Sequence, residues 1–454
     1  MSTHAVGIDF RSNAKKALGD ASLRASMRHA AETFASKRTG AFASVPVEDW
    51  RDRASEIRLN VLDNLPDYLD RFTAAATRAG AVVHRAKDAA AARETVAYLL
   101  KDRRVDKVVK SKSMVTEEIH LNDHLEMRGI EVVETDLGEY IIQIAGEAPS
   151  HIIVPAIHKN RRQVGKVFSE KLGVEYTDDP VVLTSIARKI LRKEFLSAQA
   201  GISGANFAVA ESGSLVLFTN EGNGRMVTTL PPLHIAVLSI EKIIPKLSDL
   251  AALVRLLPRS ATGQTLTSYL SIITGTRRPH ERTGSKELHI VLVDNGRSQI
   301  LAGECRDMLK CIRCSACLNV CPVYRTVGGH AYGSTYPGPM GIILTTLLDG
   351  MNRAHPLLDA TTLCGACNQV CPVKVPLVRL LRILREQRVE AGFTSPWERT
   401  AMAAFGFAAK SPTLFTAGQR LWKTFLPVLG IMERSGTVGR LPKPAGKTFR
   451  RRMS

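Results

Sequence analysis

The sequence predicts a doubly wound α/β domain, followed by an all-α region and a helical C-terminal segment. Three observations support this prediction. Short β-rich runs alternate with amphipathic helical periods between about residues 47 and 295, as in parallel sheets that carry helices on both faces. The strand pattern then ends, and seven of the eight cysteines fall within residues 311–371. Beyond residue 375, helical periods alternate with proline-marked breaks.

Each element follows from hydrophobic periodicity. Residues 12–38 read as a helical arm rich in Ala, Lys and Arg. The period of 3.6 predicts helices over residues 50–78, 89–100, 116–128, 160–172, 181–198 and 300–310. The β-rich runs predict strands over residues 81–84, 107–111, 130–134, 151–155, 205–210, 215–219, 227–230, 234–239 and 288–293. We expect all of these strands to belong to one sheet.

The chain has 454 residues and a net charge of +19, which leaves room for several domains. Part of the charge lies in the tail from Arg440 to Ser454, which has no acidic side chain. Such a tail is most often simply a solvated end of the chain. The more specific interpretations are contact with a membrane surface or with an acidic partner, and no nucleic-acid-binding motif accompanies the charge. We expect four parts, at residues 1–46, 47–295, 296–390 and 391–454.

The cysteines form two runs of ferredoxin type. The first is a complete C-x2-C-x2-C-x3-C-P run, and the second is C-x2-C-x3-C-P. In two-cluster folds, the closely spaced cysteines of one run hold one [4Fe–4S] cluster, and the last cysteine binds the other cluster. The spacing therefore predicts cluster A on Cys311, Cys314, Cys317 and Cys371, and cluster B on Cys321, Cys364 and Cys367.

The fourth ligand of cluster B is open. Thr361 stands where a complete second run would have its first cysteine, and a hydroxyl is a poor ligand for soft iron. The alternatives are a [3Fe–4S] cluster, a [4Fe–4S] cluster with water or another residue on one iron, or ligation by Cys305. A helix cysteine with a packing role is the plainer interpretation of Cys305.

Zinc knuckles and disulfides are the competing interpretations of the cysteine pattern. Zinc sites pair two CxxC halves and rarely need a third cysteine at the same step or the trailing Cys-Pro. No signal peptide is visible, which argues against disulfides. We therefore expect iron–sulfur clusters in a reducing, cytoplasmic compartment, with attachment to the inner membrane face through the basic tail as the alternative location.

The α/β region offers one weaker candidate site. Glu221 and Arg225 lie in a Gly-rich stretch of small and polar residues, and Lys110 ends a strand before a helix N-terminus. These residues would suit a carboxylate or phosphate pocket. The alternative, which the residues favour, is a hairpin turn at Asn223-Gly224.

Taken together, the cysteine runs, the loops at residues 328–333 and 336–341, and residues 211–234 resemble the LutB-type lactate-utilisation iron–sulfur proteins. The resemblance covers nearly the whole chain. It implies a LUD domain over about residues 60–290, similar to the CoA-transferase and sugar-phosphate isomerase fold. It also implies a helical ferredoxin domain over about residues 300–390.

The resemblance further implies a subunit of a three-protein system that oxidises L-lactate to pyruvate. The expected partners are a cysteine-rich CCG-domain subunit and a smaller LUD-domain subunit, with electrons passing one at a time to a quinone or another respiratory acceptor. Two alternatives remain. One is a redox sensor or scaffold with a labile second cluster, and the other is an acyl- or CoA-handling enzyme that uses Glu211 or Glu221.

Overall fold

The computed structural model describes residues 7–418. By its contacts the chain divides into one unit up to Arg385 and a second from Glu386 on. The basic tail predicted at residues 440–454 lies outside the described residues. Among the residues described, no helix is both long enough and apolar enough to span a bilayer.

Helices make up most of the described chain. Their bounds are α1 (Phe10–Gly19), α2 (Ala21–Phe42), α3 (Val47–Asp63), α4 (Leu65–Arg78), α5 (Ala89–Asp102), α6 (Met114–Glu118), α7 (Leu121–Glu126), α8 (Leu137–Ala145), α9 (Arg161–Leu172), α10 (Pro180–Ser197), α11 (Asn223–Thr229), α12 (Leu250–Thr262), α13 (Arg297–Ala302), α14 (Ala316–Asn319), α15 (Tyr324–Val327), α16 (Gly338–Asp349), α17 (Met351–Ala354), α18 (Ala366–Val370), α19 (Leu377–Glu390) and α20 (Pro396–Ala409). Short 3-10 helices cover Ile240–Lys242, Leu247–Asp249, Arg306–Lys310, His330–Tyr332 and His355–Asp359.

The strands form two sheets. Their bounds are β1 (Val82–Ala86), β2 (Lys107–Lys110), β3 (Glu131–Glu134), β4 (Ala200–Ser203), β5 (Phe207–Val209), β6 (Ser214–Thr219), β7 (Leu233–Ser239), β8 (Ile243–Ile244), β9 (Tyr269–Ile273) and β10 (Glu287–Val293). The larger sheet has the order β1-β10-β7-β4-β2-β3 and is parallel throughout. The predicted doubly wound α/β fold is confirmed.

The order of strands reverses at β2: the next strand in the chain, β3, pairs with one edge of β2, and the strand after it, β4, pairs with the other edge. Helices α5, α6 and α7 share an apolar core with one face, and α8, α10 and α11 share another with the opposite face. In open α/β sheets, the carboxyl ends of strands at such a reversal are the usual position of a site.

The expectation of a single sheet is wrong. Strands β5, β6, β8 and β9 form a smaller, mostly antiparallel sheet in the order β8-β5-β6-β9. The connection between β4 and β7 carries two of these strands, and periodicity alone does not tell which sheet a strand joins. Strand β4 is absent from the predicted strands, because its sequence, Ala-Gly-Ile-Ser, holds only one strong β former, Ile202.

The strand predicted at residues 227–230 is wrong as well. Residues 227–229 belong to helix α11, which begins at Asn223 and is followed by its C-cap residue Leu230, so Asn223-Gly224 starts a helix and does not form a hairpin turn. The helix packs closely on β4 because Gly201 has no side chain. A Cβ at Gly201 would lie 2.0 Å from the carbonyl oxygen of Val227.

The strand predicted at residues 151–155 is a series of bends. The Nδ1 atom of His151 accepts hydrogen bonds from the backbone N–H groups of Ile153 and Val154, each at 3.0 Å. Pro155 has no N–H to donate to a strand partner. A side chain therefore satisfies the backbone groups that a strand would have paired.

Candidate iron–sulfur site

Cys311, Cys314, Cys317 and Cys371, the four cysteines predicted for cluster A, line one cavity. All are buried except Cys311, which is half-buried. Burial raises the pKa of the Cys314 thiol, and the neighbouring Cys371 and Cys311 raise it further. The pKa of Cys317 is raised by burial and then by Cys311, Cys314 and Cys371. The four thiols thus lie close enough to act on one another.

Backbone N–H groups point at two of these sulfurs. The N–H of Arg313 donates to Sγ of Cys311 at 3.4 Å, and the N–H of Val375 donates to Sγ of Cys371 at 3.2 Å. Such hydrogen bonds, together with burial, are what set the reduction potential of a thiolate-bound cluster. The donor set of this cavity therefore fits a [4Fe–4S] cluster.

The three cysteines predicted for cluster B form a second group. The pKa of Cys367 is raised to about 11 by burial first, and then by Cys321 and Cys364. Cys321 and Cys367 are buried, but Cys364 is exposed. A backbone hydrogen bond from Ala366 lowers the pKa of Cys364, and the side chain of Thr362 contributes to the same shift. The second group therefore opens to solvent, unlike the first.

Cys305 does not line the cavity of the first group and stands outside both cysteine runs. It is 4% exposed and packs in the core with Met308 and Leu309. Its thiol pKa is raised to about 11 by burial and by the Glu304 carboxylate, while Arg379 acts in the opposite direction. The plainer interpretation, a packed cysteine, agrees with these surroundings. The helix predicted over residues 300–310 is interrupted here, because α13 ends at Ala302 and the next short helix begins at Arg306.

Among the described residues, no three His, Cys, Asp or Glu side chains converge closely enough to hold a single metal ion. The ligands of an iron–sulfur cube bind at its separate corners.

A buried charge network joins the α/β domain to the first cysteine loop. The guanidinium of Arg313 contacts the Glu241 carboxylate at 3.1 Å. Arg297 lies 2.8 Å from the other oxygen of Glu241 and 2.6 Å from Glu118. The hydroxyl of Tyr336 also donates to Glu118, at 2.7 Å. Four charges of alternating sign thus run from Glu118 of helix α6 to Arg313, which directly precedes Cys314.

This network controls the ionisation of its members. Burial alone would raise the pKa of Glu241, but Arg297 and Arg313 outweigh it and hold that pKa at about 2. The pKa of Glu118 is likewise lowered, because Arg297 outweighs the effect of burial. Both carboxylates are therefore charged at neutral pH, and they balance the two buried arginines.

Arg58 also links the α/β domain to the segment before the first cysteine run, through hydrogen bonds to backbone carbonyl groups. Its fully buried guanidinium donates to Ile243 at 2.8 Å, to Leu309 at 3.0 Å and to Lys310 at 3.3 Å, and also to the carbonyl of Glu241. Burial lowers its pKa to about 10. One side chain of α3 thus links β8 to the short helix that precedes the first cysteine.

Two more arginines flank Cys371. Arg51 donates to the carbonyl of Cys371 at 2.9 Å, and Arg38 donates to the carbonyl of Val370 at 3.4 Å. Sequence reasoning missed all of these charged residues, since they lie far apart in the chain. The available signal was Arg313 itself, a cation between two predicted cluster ligands.

A large acidic cavity adjoins the network. Its volume is about 1020 Å³, and Glu118 and Tyr336 form part of its wall. Other carboxylates also line it, including Glu117, Glu134 and Glu139. Because its lining is rich in carboxylates, the cavity is a poor site for another anion.

Lys110, a candidate anion-binding residue, is fully buried beside this cavity. Its ammonium donates to Glu117 at 2.9 Å and also to Glu134. Burial by itself would lower the pKa of Lys110, but these carboxylates outweigh it and raise the pKa. The positive charge is already balanced by protein groups.

Glu221 and Arg225 lie elsewhere. Glu221 accepts a hydrogen bond from the N–H of Leu137 at 3.2 Å, and burial together with Asp136 raises its pKa to about 7. Arg225 lies 5.1 Å over the ring of Tyr269. Glu221 lines a cavity of about 480 Å³ whose lining includes neither Arg225 nor Lys110, so the three residues do not form one pocket.

Comparisons with known proteins agree with this architecture. Residues 69–293 match the LUD domain, and residues 307–375 match the 4Fe-4S dicluster domain. Lactate utilization protein B of Bacillus velezensis is 49% identical over 375 residues, which cover 82% of this chain and 79% of the relative. The protein of the same name from Bacillus subtilis is 46% identical over 419 residues, covering 91% and 88%. An uncharacterized electron transport protein of Escherichia coli, YkgF, is 45% identical over 421 residues, covering 92% and 88%.

Proposed function

Because the chain belongs to the lactate utilization protein B family, we propose that it is the iron–sulfur electron-transfer subunit of an L-lactate oxidation system. Two findings support the electron-transfer part. The 4Fe-4S dicluster domain matches the region of the cysteine runs, and the E. coli relative is named an electron transport protein. The resemblance expected from the sequence is confirmed at the level of the family.

Cluster A is proposed on Cys311, Cys314, Cys317 and Cys371, and cluster B on Cys321, Cys364 and Cys367. When bound, such clusters supply one-electron transfer. Lactate gives up two electrons on oxidation to pyruvate, so two clusters can divide that flow.

The single observation that carries the proposal is the difference in exposure between the two cysteine groups. The first group lies inside the protein beside the charge network, whereas Cys364 of the second group is exposed. Electron transfer to another protein needs a redox centre near the surface. We therefore place the exit of electrons at the second group and the inner relay at the first.

We propose that the chain does not oxidise lactate alone. The acidic cavity beside the charge network disfavours the substrate anion, and the cation of Lys110 is paired. The hydroxy acid would be handled by the cysteine-rich CCG-domain subunit or the smaller LUD-domain subunit. Electrons would leave to a quinone-linked or other respiratory acceptor.

The test uses the full chain, purified and reconstituted without oxygen. Iron and sulfide analysis with EPR before and after dithionite should show two reducible clusters. L-lactate should reduce them only when both partner subunits are added. Stoichiometric zinc in place of iron, or reduction by lactate without the partners, would contradict the proposal.

Matched variants assign the two groups. Cys317→Ser should remove the signal of the buried cluster, and Cys367→Ser should remove that of the exposed one. If the inner relay is correct, Cys317→Ser stops lactate-dependent reduction of the remaining cluster. Cys367→Ser should leave cluster A reducible but stop electron transfer to an external acceptor. Equal behaviour of the two variants in both assays would contradict the proposed order.

A redox sensor is the second candidate. The exposed Cys364, whose thiol pKa is lowered, favours it, because exposed thiolates react with oxidants. A sensor would show oxidant-dependent binding of a partner and no lactate-dependent reduction in the assay above.

A further inference from the structure

The two cysteine runs repeat one another in backbone conformation. In the first run, Arg313 and Ser315 have φ of +58° and +59°, and in the second Leu363 and Gly365 have φ of +52° and +85°. These residues stand immediately before and after the second ligand position of each run. Left-handed backbone is uncommon for residues other than glycine, so its recurrence here indicates one shared loop geometry.

Backbone hydrogen bonds repeat with it. In the first run, the N–H of Leu318 donates to the carbonyl of Ser315 at 2.9 Å. In the second, the N–H of Asn368 donates to the carbonyl of Gly365 at 3.0 Å. The helices α14 and α18 start one residue after these carbonyl groups, at equivalent positions. Each loop therefore turns into its helix in the same way.

This equivalence extends to the first ligand position. The sulfur of Cys311 accepts a hydrogen bond from the N–H of Arg313 at 3.4 Å. The hydroxyl oxygen of Thr361 accepts one from the N–H of Leu363 at 3.2 Å. The hydroxyl of Thr361 therefore occupies, in the second loop, the place that the thiol of Cys311 occupies in the first.

The remaining candidate ligand, Cys305, stands in neither cysteine loop and directly precedes the short helix Arg306–Lys310. Cys305 is buried in the core, and the charged neighbours that act on its thiol are Glu304 and Arg379.

We propose that Thr361 marks a corner of cluster B without a protein thiolate, where the iron is bound by an exchangeable oxygen ligand from solvent. A protonated hydroxyl is a poor ligand for iron–sulfur iron, and Thr361 is only partly buried beside the exposed Cys364. Water or a small carboxylate can therefore reach this corner. The inference rests on the proposed function, because it needs cluster B to be present.

An iron without a thiolate is the one that oxidation releases. Loss of one electron from a [4Fe–4S]²⁺ core, followed by departure of Fe²⁺, leaves a [3Fe–4S]⁺ core, so charge and iron are both conserved. The electron passes to an added oxidant, for which ferricyanide serves. Cluster A, with four thiolates, keeps its iron under the same treatment.

The experiment compares the wild-type chain with Thr361→Cys and Thr361→Ser, each reconstituted without oxygen and then titrated with ferricyanide. Released iron is measured with a chelator, and the [3Fe–4S] signal is followed by EPR. The wild type and Thr361→Ser should each release about one iron per chain, as expected for a corner without a thiolate. Thr361→Cys should slow that release by about tenfold or more.

Iron release from Thr361→Cys at the wild-type rate, or a wild-type cluster B that keeps its iron, would overturn the proposal. Cys305→Ala supplies a second measurement that does not depend on the folding of the cysteine variant. It should leave the iron content and the ferricyanide response unchanged, and a loss of cluster B iron would assign the corner to Cys305. A chain that binds no clusters would instead contradict the proposed function itself.

Discussion

The guanidinium of Arg313 contacts the carboxylate of Glu241 at 3.1 Å, and both side chains are buried. Arg313 lies between two proposed ligands of cluster A, whereas Glu241 follows strand β7 of the α/β sheet. Glu241 of the α/β domain therefore offsets the positive charge of Arg313, which lies next to the proposed site of cluster A.

Removing the charge of Arg313 should lower the reduction potential of cluster A. Reduction adds negative charge to the cluster, so a fixed cation beside it favours the reduced form. For Arg313→Gln we expect a fall of roughly 30–60 mV, given that 59 mV is a tenfold change in a one-electron equilibrium. An EPR-monitored redox titration checks it.

Glu241→Gln should raise the reduction potential of cluster A, because it removes a negative charge. Arg313→Lys keeps the positive charge, so its potential should lie much closer to the wild-type value than that of Arg313→Gln. Arg306→Gln is the matched control, because Arg306 pairs with Asp63 at the surface. Unchanged potentials in Arg313→Gln and Glu241→Gln, at full iron content, would remove the electrostatic role from this pair.

Glu118→Ala should destabilise the protein by about 3–5 kcal/mol, because it leaves the buried Arg297 without one of its counterions. The pKa of Glu118 is lowered from its usual 4.5. Its contribution is therefore fully present above about pH 4.5 and is lost as the pH falls through the lowered pKa. Urea unfolding at pH 7 and at pH 3 measures both effects.

Glu170→Ala, which removes an exposed partner of Lys166, is the surface control and should change stability by less than about 1 kcal/mol. If Glu118→Ala lowers the free energy of unfolding by no more than the control, the stability of the protein does not depend on the ion pair between Glu118 and Arg297.

Glu139→Gln should remove the loss of folding stability that ionisation of the buried Glu139 carboxyl causes as the pH rises. Burial raises the pKa of Glu139 to about 7, although Lys112 acts against it. The folded state therefore holds a proton that the unfolded state releases, and stability falls as the pH rises from about 4.5 to 7. Relative to the variant, the wild type should lose at most about 3 kcal/mol over this range.

Thermal unfolding at pH 5 and pH 8 provides the comparison. Glu131→Gln, at an exposed position on β3, is the control and should keep the wild-type pH dependence. Parallel pH profiles for Glu139→Gln and the wild type would mean that Glu139 is ionised throughout.

Gly201→Ala should destabilise the α/β domain by about 1–3 kcal/mol. Its Cβ would lie 2.0 Å from the carbonyl oxygen of Val227, so helix α11 would have to move off strand β4. Gly40→Ala is the matched control, since a Cβ at Gly40 in α2 meets nothing within 4 Å. Calorimetric melting distinguishes them, and equal midpoints would contradict the close packing of α11.

Hydrophobic periodicity and cysteine spacing predicted the fold class and the grouping of the cysteines. The alternation of helices and strands predicted the doubly wound sheet, because strand and helix periods follow from local backbone geometry. Spacing grouped the cysteines, since residues two or three apart must share a loop. Helix α11 was missed, because the packing space left by Gly201 outweighs the hairpin preference of Asn223-Gly224.

The sequence by itself determined that this chain has an α/β domain and two ferredoxin-type cysteine runs. Only the tertiary structure decided that Arg313, Glu241, Arg297 and Glu118 form one buried network, that Lys110 is already paired, and that the Thr361 hydroxyl accepts the same backbone hydrogen bond as the Cys311 thiol. The physical reason is that ligand runs and element periods are local. Charge pairing and burial instead depend on which distant segments the fold brings together.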